Sequence, residues 1–156
     1  MKPLIVLICL FLASMFIIKL LTQKSDYQLS AKIGICGMLL FTAIGHFIFT
    51  KGMALMVPPM IPFKIEIIYI TGILEILLGF GLLVPSLSKC SGWILIVLFI
   101  ILLPANIYAS INRIDYEKAT FDGNGLMYLW YRIPLQIFFI ICTYLAAIKD
   151  FEIRKY

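Results

Sequence analysis

The 156-residue chain is 63% hydrophobic and 13% charged, with a mean hydropathy of +1.06. Soluble domains typically carry about 45–50% apolar residues, so this composition excludes an ordinary soluble enzyme and points to one membrane domain over residues 1–156. The net charge of +5 is spread over short loops with no Lys/Arg stripe, which argues against nucleic acid as a partner and for anionic lipid headgroups.

The first apolar run, residues 3–21, is about the length of a bilayer-spanning helix. It is too long for a signal-peptide core, no A-x-A-like site follows, and Lys19 sits where a helix end would snorkel. It therefore reads as a retained transmembrane helix. After a short polar loop, in which Ser30 is the expected helix cap, the second span covers about 32–50. It carries Gly34, Gly37, Gly45 and the only histidine, His46. Residues 51–64 hold Pro58, Pro59 and Pro62 among methionines, so no continuous helix is expected here, and the apolar loop lies in the interface or folds back over the bundle.

The third span, about 65–84, contains Glu75 near its middle. A lone carboxylate in lipid costs about 2.5–3.5 kcal/mol on insertion scales, so Glu75 is expected to face a protein interior. Gly72, Glu75 and Gly79 recur at three and four residues and share one face, which should pack on another helix. The fourth span, about 92–111, has Trp93 and Tyr108 near its ends. Its Pro104 leaves the Ile100 carbonyl without its helical donor. Residues 112–129 form the longest polar segment, with a turn at Asp122–Gly125. The fifth span, about 130–148, places Pro134 in its first turn and Arg132 and Gln136 on one face. The tail, Lys149–Tyr156, is charged and interfacial. The expected fold class is thus all-α, a polytopic bundle of five transmembrane spans.

Alternation of the spans brings the ends of the second and fourth and the starts of the third and fifth to one side. His46, Glu75, Asn106, Arg132 and Gln136, from four helices, then share one half of the membrane. Glu75 lies roughly 13 Å below Glu66 at the helical rise. The opposite half carries almost no polar side chain. Basic residues are nearly balanced between the two sides, six against seven, and the C-terminus is placed in the cytoplasm.

Two readings of the cluster follow. It is either a buried hydrogen-bonded set that fixes helix register, or the lining of a pocket. In the second reading His46 and Glu75 exchange protons, Asn106, Arg132 and Gln136 hold a polar head such as a quinone carbonyl, and Tyr69 and Trp130 stack on the ligand or serve as belt and packing residues. The four cysteines, Cys9, Cys36, Cys90 and Cys142, form no C-x-x-C pair, and one histidine makes no haem or metal ligand set. They read as small apolar packing residues.

Several motifs add a family likeness. They are G-H-F at Gly45–Phe47, M-V-P-P at Met56–Pro59, Y-x-T-G-x-x-E at Tyr69–Glu75, G-L-L-x-P at Gly81–Pro85, P-A-N-I-Y at Pro104–Tyr108, and L-W-x-R-x-P-L-Q at Leu129–Gln136. Over about residues 33–145 the chain resembles the DoxX-like family of small bacterial membrane proteins. The resemblance implies a four-helix core in the bacterial inner membrane, with the first helix as an addition. It also implies a link to quinone or redox chemistry and to a soluble redox partner. The expected function is a quinone- or redox-linked membrane component that binds a small lipophilic ligand. The alternatives are a structural or assembly subunit without chemistry, or a small transporter, for which a homo-oligomer would have to supply the path.

Overall fold

The computed structural model describes residues 2–149. Six α-helices follow one another: α1 (Lys2–Thr22), α2 (Tyr27–Ile48), α3 (Thr50–Met56), α4 (Lys64–Leu83), α5 (Ser88–Ile111) and α6 (Leu126–Thr143), which runs on through a π-helical turn, Tyr144–Ile148. No strand occurs among the described residues; Asp115 and Thr120 form a single isolated bridge. Five of the helices are long and apolar enough to cross a membrane, as expected of an all-α polytopic bundle.

The exterior is apolar. Leu21, Ile48, Ile70, Leu77, Ile101 and Ile137 are among many large side chains that face outward. The polar side chains of the spans are instead found inside, among them Glu75, His46, Asn106 and Gln136. Lipid provides no hydrogen bonds, so each helix turns its polar groups toward its neighbours. The main core joins α2, α4, α5 and α6 through residues such as Leu39, Leu82, Leu95 and Phe139. α1 packs chiefly on α2. The two come close because α2 has no side chain at Gly34, where a Cβ would stand 3.0 Å from the Leu7 carbonyl oxygen.

α2 begins five residues before the expected position. Asp26, not Ser30, is its cap: the Asp26 carboxylate accepts from the Leu29 amide at 2.9 Å. Ser30 lies within the first turn and donates to the Asp26 carbonyl. The proline-rich loop opens with a short helix, α3, which the prolines did not foreshadow because they all follow it. α3 folds back over the bundle end, where Met56 packs with Ala109 and Ile114. α6 begins at Leu126, so Pro134 lies inside the helix and not in its first turn. The carbonyl it frees belongs to Trp130, a residue 79% exposed.

Two contacts fix the order of the ends. Lys2 pairs with Glu117 in the loop between α5 and α6. At the other end Gln28 donates to the Lys149 carbonyl at 3.2 Å. The start of α1, the end of α2, the start of α4, the end of α5 and the start of α6 therefore share one side. Of the charged tail, residues 150–156 lie outside the described residues.

Candidate functional site

The site is built on the α2–α4 pair. α2 carries Thr42 and His46, and α4 carries Thr71 and Glu75, each pair four residues apart and so on one face. Because the helices run antiparallel, each threonine meets the titratable residue of the other helix. The Thr42 hydroxyl donates to Glu75 Oε2 at 2.7 Å, and Thr71 Oγ1 lies 3.1 Å from His46 Nδ1. His46 Nε2 stands 3.5 Å from Glu75 Oε1, both side chains being almost wholly buried. Gly72 permits this approach, since a Cβ there would stand 2.9 Å from His46 Cβ.

His46 Nδ1 lies 3.2 Å from the Ile68 carbonyl oxygen, which can only accept, so this contact is a hydrogen bond in the tautomer with its proton on Nδ1. In that tautomer Nε2 faces the carboxyl group. A proton placed on this axis can sit on either group, as a carboxylic acid beside neutral imidazole or as imidazolium beside carboxylate, and its passage between them leaves the net charge of the buried pair unchanged.

The opposite wall comes from α5 and α6. Pro104 interrupts the α5 hydrogen-bond ladder, and side-chain donors gather near the interruption. Gln136 Nε2 donates to the Phe99 carbonyl, and Asn106 Nδ2 donates to the Leu102 carbonyl at 3.1 Å. The expected gap at Ile100 is thus flanked, not filled, by these side chains. The Tyr128 hydroxyl donates to Asn106 Oδ1 at 3.4 Å. The Arg132 guanidinium lies over the Tyr128 ring, 5.7 Å from its centroid. Among the described residues no carboxylate lies within ion-pair distance of Arg132.

Between these walls is a cavity of about 520 Å³. Most of its lining is apolar, with Met38, Phe41, Leu98, Leu135 and Phe139 among the contributors. His46, Glu75, Asn106, Arg132 and Gln136 all line it. So do Thr42, Thr71 and Tyr128, which sequence reasoning did not single out. The paired T-x-x-x-H and T-x-x-x-E spacings were the available signal for the threonines. At the rim Lys2 Nζ sits 2.8 Å from Glu117 Oε1, beside Tyr116. Burial pushes the Tyr116 phenol up, and the neighbouring Glu117 carboxylate adds to the effect.

Tyr69 and Trp130 do not belong to this site. Tyr69 precedes Glu75 by six residues, which places it about 120° round the helix, and it stacks on Phe47 at the outer surface. Trp130 precedes Arg132 by two residues, about 200° round α6, and faces outward. A second cavity of about 580 Å³ lies at the opposite end, between α1, the start of α2 and the end of α6. Its walls are nearly all apolar, and its carboxylate, Asp26, is occupied in capping α2.

Residues 35–147 match the model of a family described as Domain of unknown function (DUF8561). The matched stretch contains every residue of the α2–α4 and α5–α6 walls named above and leaves α1 outside it. No curated protein and no solved structure matches the chain.

Proposed function

The chain belongs to the DUF8561 family of domains of unknown function, and from that premise we propose that it is an intramembrane binding protein for a small lipophilic ligand with an oxygen-bearing head, of the quinone class. One observation carries this reading: His46, Glu75, Asn106, Arg132 and Gln136, from four helices, line a single apolar-walled cavity of about 520 Å³ together with Thr42, Thr71 and Tyr128. Binding cavities for small molecules run to about 300–1,000 Å³, with mostly apolar walls and a few convergent polar groups. The motif likeness to DoxX-like proteins supports the same reading, and with it a place in the bacterial inner membrane with the C-terminus in the cytoplasm.

The donor set fits such a head. Arg132 has guanidinium N–H groups free for a ring oxygen, and the apolar walls suit a ring and tail. A quinone, when bound, supplies two-electron, two-proton chemistry, with electrons coming from a soluble redox protein. The residues of this chain do the rest. Arg132 and Asn106 orient the head, Gln136 ties α6 to α5 behind it, and Met38, Phe41 and Phe139 keep water out. His46 and Glu75 hold one proton beside the head, and Thr42 and Thr71 aim the two groups at each other.

Titration of the purified protein in nanodiscs with a short-tailed quinone, in its oxidised and its reduced form, tests the reading. Saturable binding of at least one form is expected, weakened in Arg132→Ala and in Glu75→Gln. If the cluster only fixes helix register, both variants lose thermal stability and ligand affinity stays as in the wild type. That outcome would reject the proposal.

A further inference from the structure

The hydrogen-bond inventory of the cavity identifies which kind of head it takes. Many donors in the walls are already engaged within the protein. Thr42 donates to Glu75. The Thr71 hydroxyl lies 3.0 and 2.9 Å from the carbonyls of Ile67 and Ile68, the preceding turn of its own helix. Asn106 Nδ2 and Gln136 Nε2 donate to α5 carbonyls, and the Tyr128 hydroxyl donates to Asn106. Arg132 has the most open N–H groups, its contact among the described residues being the face of the Tyr128 ring, while the Asn106 and Gln136 amides each keep one further N–H.

Acceptors are left over as well. The Gln136 side chain lines the cavity, and its Oε1 is buried with no donor. Glu75 offers two oxygens, of which Thr42 engages Oε2, while Oε1 faces an imidazole nitrogen at an ion-pair distance of 3.5 Å. A buried acceptor without a donor costs about 1–3 kcal/mol, so an occupant that supplies an O–H is favoured over one that cannot.

We infer that the cavity selects a hydroxyl-bearing head, an amphiphilic hydroquinone or phenol whose O–H serves Glu75 or Gln136 while a second oxygen accepts from Arg132. An acceptor-only head, such as the oxidised quinone ring, satisfies Arg132 and leaves the acceptors as they were. This inference rests on the binding-site reading above and names the ligand class within it. It also makes Glu75 and Gln136 the residues that discriminate the two forms, and Arg132 a contact common to both.

The test compares decyl-ubiquinol with decyl-ubiquinone under argon, which share tail and ring substituents and differ in the two hydroxyl hydrogens. Binding is read by quenching of intrinsic fluorescence in nanodiscs. The expected result is about ten-fold tighter binding of the quinol. In Glu75→Gln the new amide supplies an N–H donor, so the ratio should fall toward one. Gln136→Met should lower the ratio as well, and Arg132→Ala should weaken both forms alike. Equal affinity for the two forms, or tighter binding of the quinone, overturns this inference and leaves the binding-site reading standing. Failure of both forms to bind overturns both. Should Gln136→Met not fold, the Glu75→Gln ratio decides the matter alone: an unchanged ratio rejects the role given to Glu75.

Discussion

Replacing Gly72 with alanine probes the contact on which the site depends. The added Cβ would stand 2.9 Å from His46 Cβ. Carbon atoms settle about 3.5–4.0 Å apart, so α4 and α2 must separate by roughly 0.6–1 Å. The opposing atom is bonded directly to the α2 backbone, so it cannot rotate aside as the end of a long side chain could. Overpacking of this kind costs about 1–3 kcal/mol. Against it stands the helix-propensity gain from glycine to alanine, about 1 kcal/mol. The net loss should reach up to about 2 kcal/mol, and at about 2–4 °C per kcal/mol the midpoint of thermal unfolding drops by up to roughly 8 °C. Gly45, on α2, supplies the control. A Cβ there meets the flexible end of Met53 at 3.6 Å, an ordinary contact. Gly45→Ala should therefore be neutral or stabilising by up to about 1 kcal/mol. Thermal unfolding of wild type and both variants, in one detergent and followed by intrinsic fluorescence, reads the difference. If Gly72→Ala is as stable as wild type, or if Gly45→Ala loses as much, the α2–α4 approach does not have the tightness claimed for it.

Three further outcomes are expected. His46→Ala leaves the Glu75 carboxyl buried without its partner and should cost about 3–5 kcal/mol, whereas the joint replacement of His46 and Glu75 by leucine should cost less; a stability cycle in which the two losses simply add speaks against coupling of the pair. Asp26→Ala removes the side-chain cap of α2 and should cost about 0.5–2 kcal/mol, while Ser30→Ala leaves that cap in place; equal losses would mean the cap is misassigned. Tyr116 should titrate above its ordinary 10.0, because burial and Glu117 disfavour the phenolate. Its neutral form is the one the fold stabilises, so this contribution is present in full below pH 10 and is lost as pH rises through the raised value. Stability of Tyr116→Phe should accordingly fall less steeply on the alkaline side, and an identical alkaline slope would contradict the assignment.

Much of the architecture was legible in the residues. The five spans stand out because lipid demands about twenty consecutive apolar residues with internally satisfied backbones. The grouping of His46, Glu75, Asn106, Arg132 and Gln136 followed from alternation of direction alone, since odd and even spans must bring their polar ends to one side. The boundaries were less accessible. α2 starts at Tyr27 because a carboxylate at Asp26 caps it, and hydropathy is blind to a cap made by a polar loop residue. α3 precedes the prolines that mask it, and its support is tertiary, through Met56 on Ala109 and Ile114.

Depth and side are thus properties of the one-dimensional chain, and they sufficed to bring five residues from four helices into one half of the bilayer. Azimuth is not. Which residues turn inward depends on the rotation and register of each helix against its neighbours, and a stripe of nearly uniform apolar side chains carries little information about rotation. That is why Tyr69 and Trp130, adjacent in sequence to site residues, face outward, while Thr42, Thr71 and Tyr128 came to the cavity unannounced. Packing at Gly72 and the crossed hydrogen bonds of two threonines set that rotation, and these exist only once α2 and α4 have met.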